Sequence, residues 1–545
     1  MSASSKKKLR KELEAAQMTE KQLSERKEAK KLKVLSVTFI AVLSLILVVA
    51  LGIAAFSLVS SSGIIPRTVD AVTIGNHTLT SAELNYFYVD AVNSAYNDWK
   101  ESFGDYIDLG LAYNGLTVGK PLNQQQHPLN ADQTWAEYFA DLAVEDATSA
   151  YALYDAAVAA GHKLSEQSQS DIDMMVEIMS YYAAAGGYSS TEEYLKGTYG
   201  NGASIESYKN YMTVTALGTD YANTVYGALE YTADEIDAYN KEHTADFNSY
   251  SYSQFYVDRD DFLLCTDPNN TEHVHTAEEY APALNSAKET ADKLAASGVT
   301  TVEDLNAKIK EIEIYKDTNF KADTYTDQLM QTMKENVREE ITDWLLDGTH
   351  KAGEMAVLPI PTEVGSEDLD GYLVILFHGM KENNENLVNV RHILFQFPTN
   401  ATEDDKAATK KKADDLQTKW LAEGGTEEAF IALVKDNSED TGSKENGGLY
   451  EDVYPGQMVT AFNDWCFDAD RKTGDYEIVE TEYGYHLMYF VSTSETTFRN
   501  FMVENTLRNN EYNDWTSGLV EKITTDVHTI KHLDLDMSIN SSTAS

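Results

Sequence analysis

The chain has 545 residues, too many for one hydrophobic core, so three or four domains are expected. Its charge is divided: residues 1–33 carry 11 Lys/Arg against 5 Asp/Glu and the remainder 32 against 84, which makes the net −46. So acidic a body repels nucleic acid, and two cysteines are too few for a disulfide-stapled scaffold.

Residues 1–33 form a basic tail, and Lys6 to Lys33 alternates basic and acidic residues at the spacing of a solvated helix beside a membrane. Val34 to Val59 follows, 26 residues without a charge, long enough to span a bilayer. With the basic flank held inside, this predicts a single-pass cell-membrane protein, its N-terminus cytoplasmic and its acidic bulk outside. A cleaved signal peptide is the competing reading. The run is about twice as long as such segments carry, and 33 mostly polar residues precede it. No cysteine closely follows the span to take a lipid.

Beyond the linker at 63–69, Val72-Thr-Ile-Gly-Asn-His-Thr-Leu79 predicts a hairpin, and Thr80-Ser-Ala-Glu83 a capping box that opens a helix. Residues 101–130, with Gly, Asn, Gln and two Pro, read as a loop. From Thr134 to Ala228 the pattern is helical, and Thr232-Ala-Asp-Glu235 caps one more helix, from Ile236 to about His243. Residues 67–245 are therefore expected to make one helical domain.

An internal repeat follows. Ile341 to Gly353 aligns with Phe462 to Gly474 at 5 of 13 identical positions, Trp344 with Trp465 among them. Gly371-Tyr-Leu-Val-Ile-Leu-Phe377 aligns with Gly484-Tyr-His-Leu-Met-Tyr-Phe490, and Tyr250 to Val257 with Val388 to Phe395. Residues 246–380 are thus expected to copy the domain at 386–493. In the first copy Gln254 stands at the place of His392 and Leu373 at that of His486. Glu495 to Val527 reads helical, and the end of the chain reads polar and frayed.

The domain at 386–493 carries the chemistry. Val388-Asn-Val-Arg-His-Ile-Leu-Phe395 and Thr481-Glu-Tyr-Gly-Tyr-His-Leu-Met-Tyr-Phe490 read as strands, each with one histidine. Between them lie Asn437-Ser-Glu-Asp-Thr441, Gly447-Gly-Leu-Tyr450, Gly456-Gln-Met-Val459 and Phe462. In this order the pieces resemble the parvulin family of peptidyl-prolyl isomerases. The helical region before them is similar in arrangement to the chaperone region of PrsA-type and SurA-type foldases. The resemblance implies an α+β multidomain protein. Its parts are a transmembrane helix, a helical chaperone domain completed by residues 494–545, and two parvulin-like domains with small antiparallel sheets flanked by helices.

It also implies site residues. His392 and His486 match the family's paired histidines, and Asp440 matches the position facing the substrate amide. Met458 and Phe462 match the residues that cup the proline ring, with Leu449 as a third wall and Tyr483 closing the site. The implied partners are unfolded or nascent secreted polypeptides containing X-Pro bonds, and a homodimer is compatible with the arrangement. No cofactor and no metal are expected: His273 and His275 lack a thiol pair or helical partner, and Cys466 between Trp465 and Phe467 reads as buried. The run Gly447-Gly-Leu-Tyr-Glu-Asp-Val453 lacks the Asp and third Gly usual in the family. A non-catalytic holdase, or a membrane scaffold, therefore stays open as the alternative.

Overall fold

The computed structural model describes residues 62–264, 276–363 and 366–539. The expected span at 34–59 and residues Cys265, His273 and His275 lie outside the described residues. Among the described residues no helix is long and apolar enough to cross a membrane. The chain forms two compact units, one of residues up to 229 together with those from 511, the other of residues 230–510.

The first unit opens with strands β1 (Asp70–Ile74) and β2 (His77–Thr80), turning at Gly75, whose φ is +55°. Thr80 accepts from the Glu83 amide while Glu83 accepts from the Thr80 amide, and this reciprocal cap starts helix α1 (Ser81–Phe103). Helices α2 (Trp135–Ala159), α3 (Glu166–Ala185), α4 (Thr191–Tyr199) and α5 (Ile205–Gly227) follow. Leu84, Tyr88, Phe139, Ala140 and Ala143 fill the core between α1 and α2.

Two stretches differ from the sequence reading. Within residues 101–130, Ile107–Tyr113 is helical, because Leu111 is fully buried and docks that segment on the core. Residues Thr525–Val527 are a strand, not helix, and pair antiparallel with β1, Val72 opposite Val527. The preceding helix ends at Val520. Tertiary pairing at a sheet edge outweighs local propensity there.

The second unit begins with α6 (Ala233–Glu242), capped by Thr232 and Glu235. The sequence reading grouped this helix with the helical domain, but Ile236 is buried against Phe247, Leu387, Phe498 and Met502 of the second unit. Two segments follow whose elements run in the same order, save for an extra helix at Met330–Asn336 in the first. The first is β3 (Ser249–Asp258), α7 (Ala277–Ala295), α8 (Val302–Ile309), β4 (Asp323–Leu329), α9 (Glu339–Leu346), β5 (Met355–Pro361) and β6 (Leu369–Lys381). The second is β7 (Asn386–Gln396), α10 (Glu403–Ala422), α11 (Glu427–Asn437), β8 (Leu449–Val453), α12 (Thr460–Cys466), β9 (Tyr476–Glu480) and β10 (Gly484–Thr497). The sheets run β4-β3-β6-β5 and β8-β7-β10-β9, antiparallel throughout.

Arg499 ties the start of this unit to the link between the two segments. It is buried and donates to the carbonyls of Glu382 and Thr244 and to the side chains of Asn240 and Asn248, so each guanidinium nitrogen has an acceptor.

In the second sheet, strand alternation sorts the side chains. Ile393, Phe395, Tyr485, Leu487 and Tyr489 face α10 and α11, where Trp420, Phe430 and Val434 meet them. Val388, Val390, Met488 and Phe490 face the other way, onto Phe462, Trp465 and Cys466 of α12. His392 continues the Val388–Val390 row, and His486 the Phe490–Met488 row. The two histidines thus arise at one end of the α12 face.

Candidate active site

On neighbouring strands His392 lies opposite Met488, and His486 opposite Leu394, so the two histidines are diagonal neighbours. Their Nδ1 atoms are 3.0 Å apart. His392 Nε2 is 2.8 Å from Asp440 Oδ2 and 3.1 Å from Ser443 Oγ. Asp440 follows the C-terminus of α11, where Ser438 Oγ receives the Leu394 amide and fixes that turn against β7. The same Oδ2 accepts from the Ser443 hydroxyl and, at 3.1 Å, from Tyr450. At the far end His486 Nε2 meets Thr481 Oγ1 at 2.9 Å.

This chain of contacts limits the protons. Two imidazoliums would set N–H against N–H at the Nδ1 pair, so the network holds at most one positive ring. Asp440 accepts at one end, which places a proton on His392 Nε2. Burial, with His392 beside it, pushes the His486 pKa down to about 3, so His486 is uncharged at neutral pH. The hydrogen bond with His392 holds the Asp440 carboxyl well below the usual carboxylate range, against the opposing effect of its partial burial.

The shifts have a stability consequence. His486 titrates near 6.5 when unfolded and near 3 when folded, so between these values the unfolded chain binds the extra proton. Stability is therefore lost as pH falls from 6.5 toward 3. The contribution of Asp440, whose folded pKa is also depressed, is lost only below the ordinary carboxylate value of 3.8. Urea unfolding of the chain should show a falling midpoint between about pH 6 and 4. His486→Gln should flatten that slope; an unchanged slope would refute the assignment.

The apolar side is built by α12. The Phe462 ring stands edge-on to both histidines, at 5.6 Å from His392 and 5.4 Å from His486. It is buried and forms the floor beneath them. Met458 packs, half-buried, on the same cluster. Tyr483 sits in the turn between Thr481 and Gly484 with its ring exposed; its amide donates to Thr481 Oγ1. Leu449 is not brought to the site. It lies opposite Arg391, whose side of the sheet faces α11, while Tyr450 opposite Val390 faces the histidines. The side chain of β8 that lies beside the histidines is that of Tyr450, with its ring centroid 5.2 Å from that of His392.

Sequence reasoning missed Ser443, Tyr450 and Thr481. Tyr450 was visible as an aromatic residue two places past Gly448, but its facing depends on pairing register, which no local pattern sets. Gly448 sets it here: its carbonyl accepts from the His392 amide at 2.9 Å. An extra residue at the bulge between Tyr450 and Val453 returns Val453 to the same face.

The first sheet shows the same register with other side chains. Tyr256 pairs with Leu373 and Gln254 with Ile375, so Gln254 and Leu373 occupy the positions of His392 and His486. Gln254 donates to Tyr325 at 3.2 Å. A cavity of about 410 Å³ opens there, walled by Tyr252, Tyr325, Ile341 and Leu373.

Residues 372–492 match the family model of the PPIC-type PPIASE domain. This segment is a PPIC-type PPIase domain. The match starts inside β6, ahead of the first strand of the second sheet at Asn386. Foldase protein PrsA 1 of Listeria monocytogenes serotype 4b is 36% identical over 108 residues, 20% of this chain and 31% of the relative. Foldase protein PrsA 3 of Bacillus anthracis is 34% identical over 116 residues, 21% of this chain and 35% of the relative. The chain thus spans about a third of the length of the curated relatives it matches. The crystal structure of peptidylprolyl isomerase (PrsA) from Bacillus anthracis is 17% identical and covers 44% of this chain and 94% of its own, with a TM-score of 0.18, too low to argue from. The chain is similar to PrsA-type foldases through its PPIase domain.

Proposed function

We propose that this protein is a membrane-anchored, extracytoplasmic foldase that binds secreted polypeptides and catalyses their prolyl cis-trans isomerisation. The observation that carries this reading is the chain Thr481–His486–His392–Asp440, set above Phe462 and beside Met458 on a PPIase domain. The uncharged run Val34 to Val59 would be the anchor. The 33 tyrosines suit weak, sequence-tolerant contact with unfolded chains.

A prolyl bond rotates slowly because the twisted form loses amide resonance, a barrier of about 18–20 kcal/mol. A catalyst must favour the twisted form over both planar ones. In the planar amide the carbonyl oxygen carries more negative charge than in the twisted one. A fixed carboxylate beside that oxygen raises the planar forms relative to the twisted one. Asp440 would supply this charge, held ionised by His392 and Ser443. His392 and His486 would orient it, Met458 and Phe462 would grip the ring, and Tyr450 and Tyr483 would border the substrate.

The test is cis-trans exchange of short X-Pro peptides, followed by NMR with the whole chain added. Acceleration is expected, and Met458→Ala should cut it about tenfold, mainly through substrate binding. A folded chain that leaves the exchange at its spontaneous rate would overturn the catalytic reading in favour of a holdase.

A further inference from the structure

The first unit contains a second candidate site. A cleft of about 700 Å³ opens between α1 and α2, beneath the segment that leads into α2. Its wall is a box of rings. Trp99 stands edge-on to Trp135 at 5.8 Å, and His127 stacks on Tyr138 at 4.6 Å. His127 and Tyr138 both touch Trp135, at 4.5 and 5.5 Å. The charged groups on the wall are two carboxylates, Asp98 and Asp146. Neither has an ion-pair partner among the described residues. Both carboxylates are exposed to solvent.

A box of aromatic faces with two uncompensated carboxylates attracts a cation, and desolvated ring faces strengthen that attraction. A second observation narrows the ligand. Trp135 is 4% exposed, and among the described residues its Nε1–H has no acceptor and His127 Nδ1 has no partner. An indole N–H can only donate. A simple ammonium ion brings no acceptor, whereas a peptide brings a carbonyl beside each side chain. The volume holds a side chain with its flanking backbone.

We propose that this cleft captures arginine or lysine side chains of unfolded polypeptides, with the peptide backbone accepting from the box. The inference rests on the reading that the chain binds unfolded polypeptides. It gives the helical unit a preference of its own, for basic segments, separate from the proline preference of the PPIase domain.

The test uses the full chain and a fluorescein-labelled, unstructured Gly/Ser peptide carrying Leu and two Arg. Its twin replaces both Arg with citrulline, which keeps the shape and removes the charge. With the unsubstituted chain, citrulline should weaken binding about tenfold. With Asp98→Asn/Asp146→Asn the Arg peptide should bind about tenfold more weakly and the citrulline change should cost nothing further. Trp99→Ala should weaken the Arg peptide while leaving the far-UV spectrum unchanged. Equal citrulline costs in both chains would overturn the proposal, as would displacement by tetramethylammonium at the affinity of the Arg peptide. If neither peptide binds, the polypeptide-binding reading itself fails. Prolyl exchange on uncharged peptides reports the PPIase domain independently of either result.

Discussion

Replacing Asp440 with Asn is expected to lower kcat/KM for prolyl isomerisation about 100-fold, the size of loss seen when one preorganised electrostatic partner leaves a transition state. The substitution is chosen for what it keeps. Asn retains an acceptor for the Ser443 and Tyr450 hydroxyls and for His392 Nε2, so the turn after α11 can persist. It removes the charge and sets an NH2 group where Oδ1 accepts from the Gly442 amide. Near-normal activity in Asp440→Asn, with a large loss in Asp440→Ala, would show that Asp440 works by geometry and not by field. Activity retained in both would remove Asp440 from the mechanism. Because Asp440 is held ionised far into acid, the loss should be the same at pH 6 and pH 8, a range in which the carboxylate does not titrate.

Gly448→Ala should cost about 3 kcal/mol of stability and most of the activity. Gly448 has a φ of +71°, which side chains resist, and an added Cβ would stand 2.3 Å from the His392 carbonyl oxygen. Backbone would have to move. The strand that moves is β7, and the bond broken is the one from the His392 amide to the Gly448 carbonyl. Gly456→Ala is the comparison: its φ is +87°, but a Cβ there meets nothing within 4 Å. It should cost about 1 kcal/mol, the backbone strain alone. Urea unfolding of both variants separates the two terms. Equal losses would mean that the contact with His392 does not hold the loop.

The Gly447-Gly448 pair also bears on the departure from the family pattern. The glycines are required where the loop passes against β7, and the residues after them are freer. Tyr450 takes a hydroxyl to Asp440 and an aromatic ring to His392. The site is altered on that side, not emptied.

The sequence by itself determined the hairpin at Val72 to Leu79, the helix starts at Thr80 and Thr232, and the period-two rows that bear His392 and His486. These rest on local chemistry: a turn glycine, a side chain that caps its own helix, and alternation across a strand. The order of motifs brought His392, His486, Asp440 and Phe462 into one candidate site before any geometry was known. Tertiary structure decided the rest. Which of Leu449 and Tyr450 faces the histidines follows from the pairing of β8 with β7, because a shift of one residue exchanges the two faces. That Thr525–Val527 is a strand follows from the free edge of β1. That Trp99 joins His127, Trp135 and Tyr138 follows from the packing of α1 on α2. Long-range pairing of this kind leaves no mark in a local pattern, because each partner satisfies its own segment's rules whether or not the other is present.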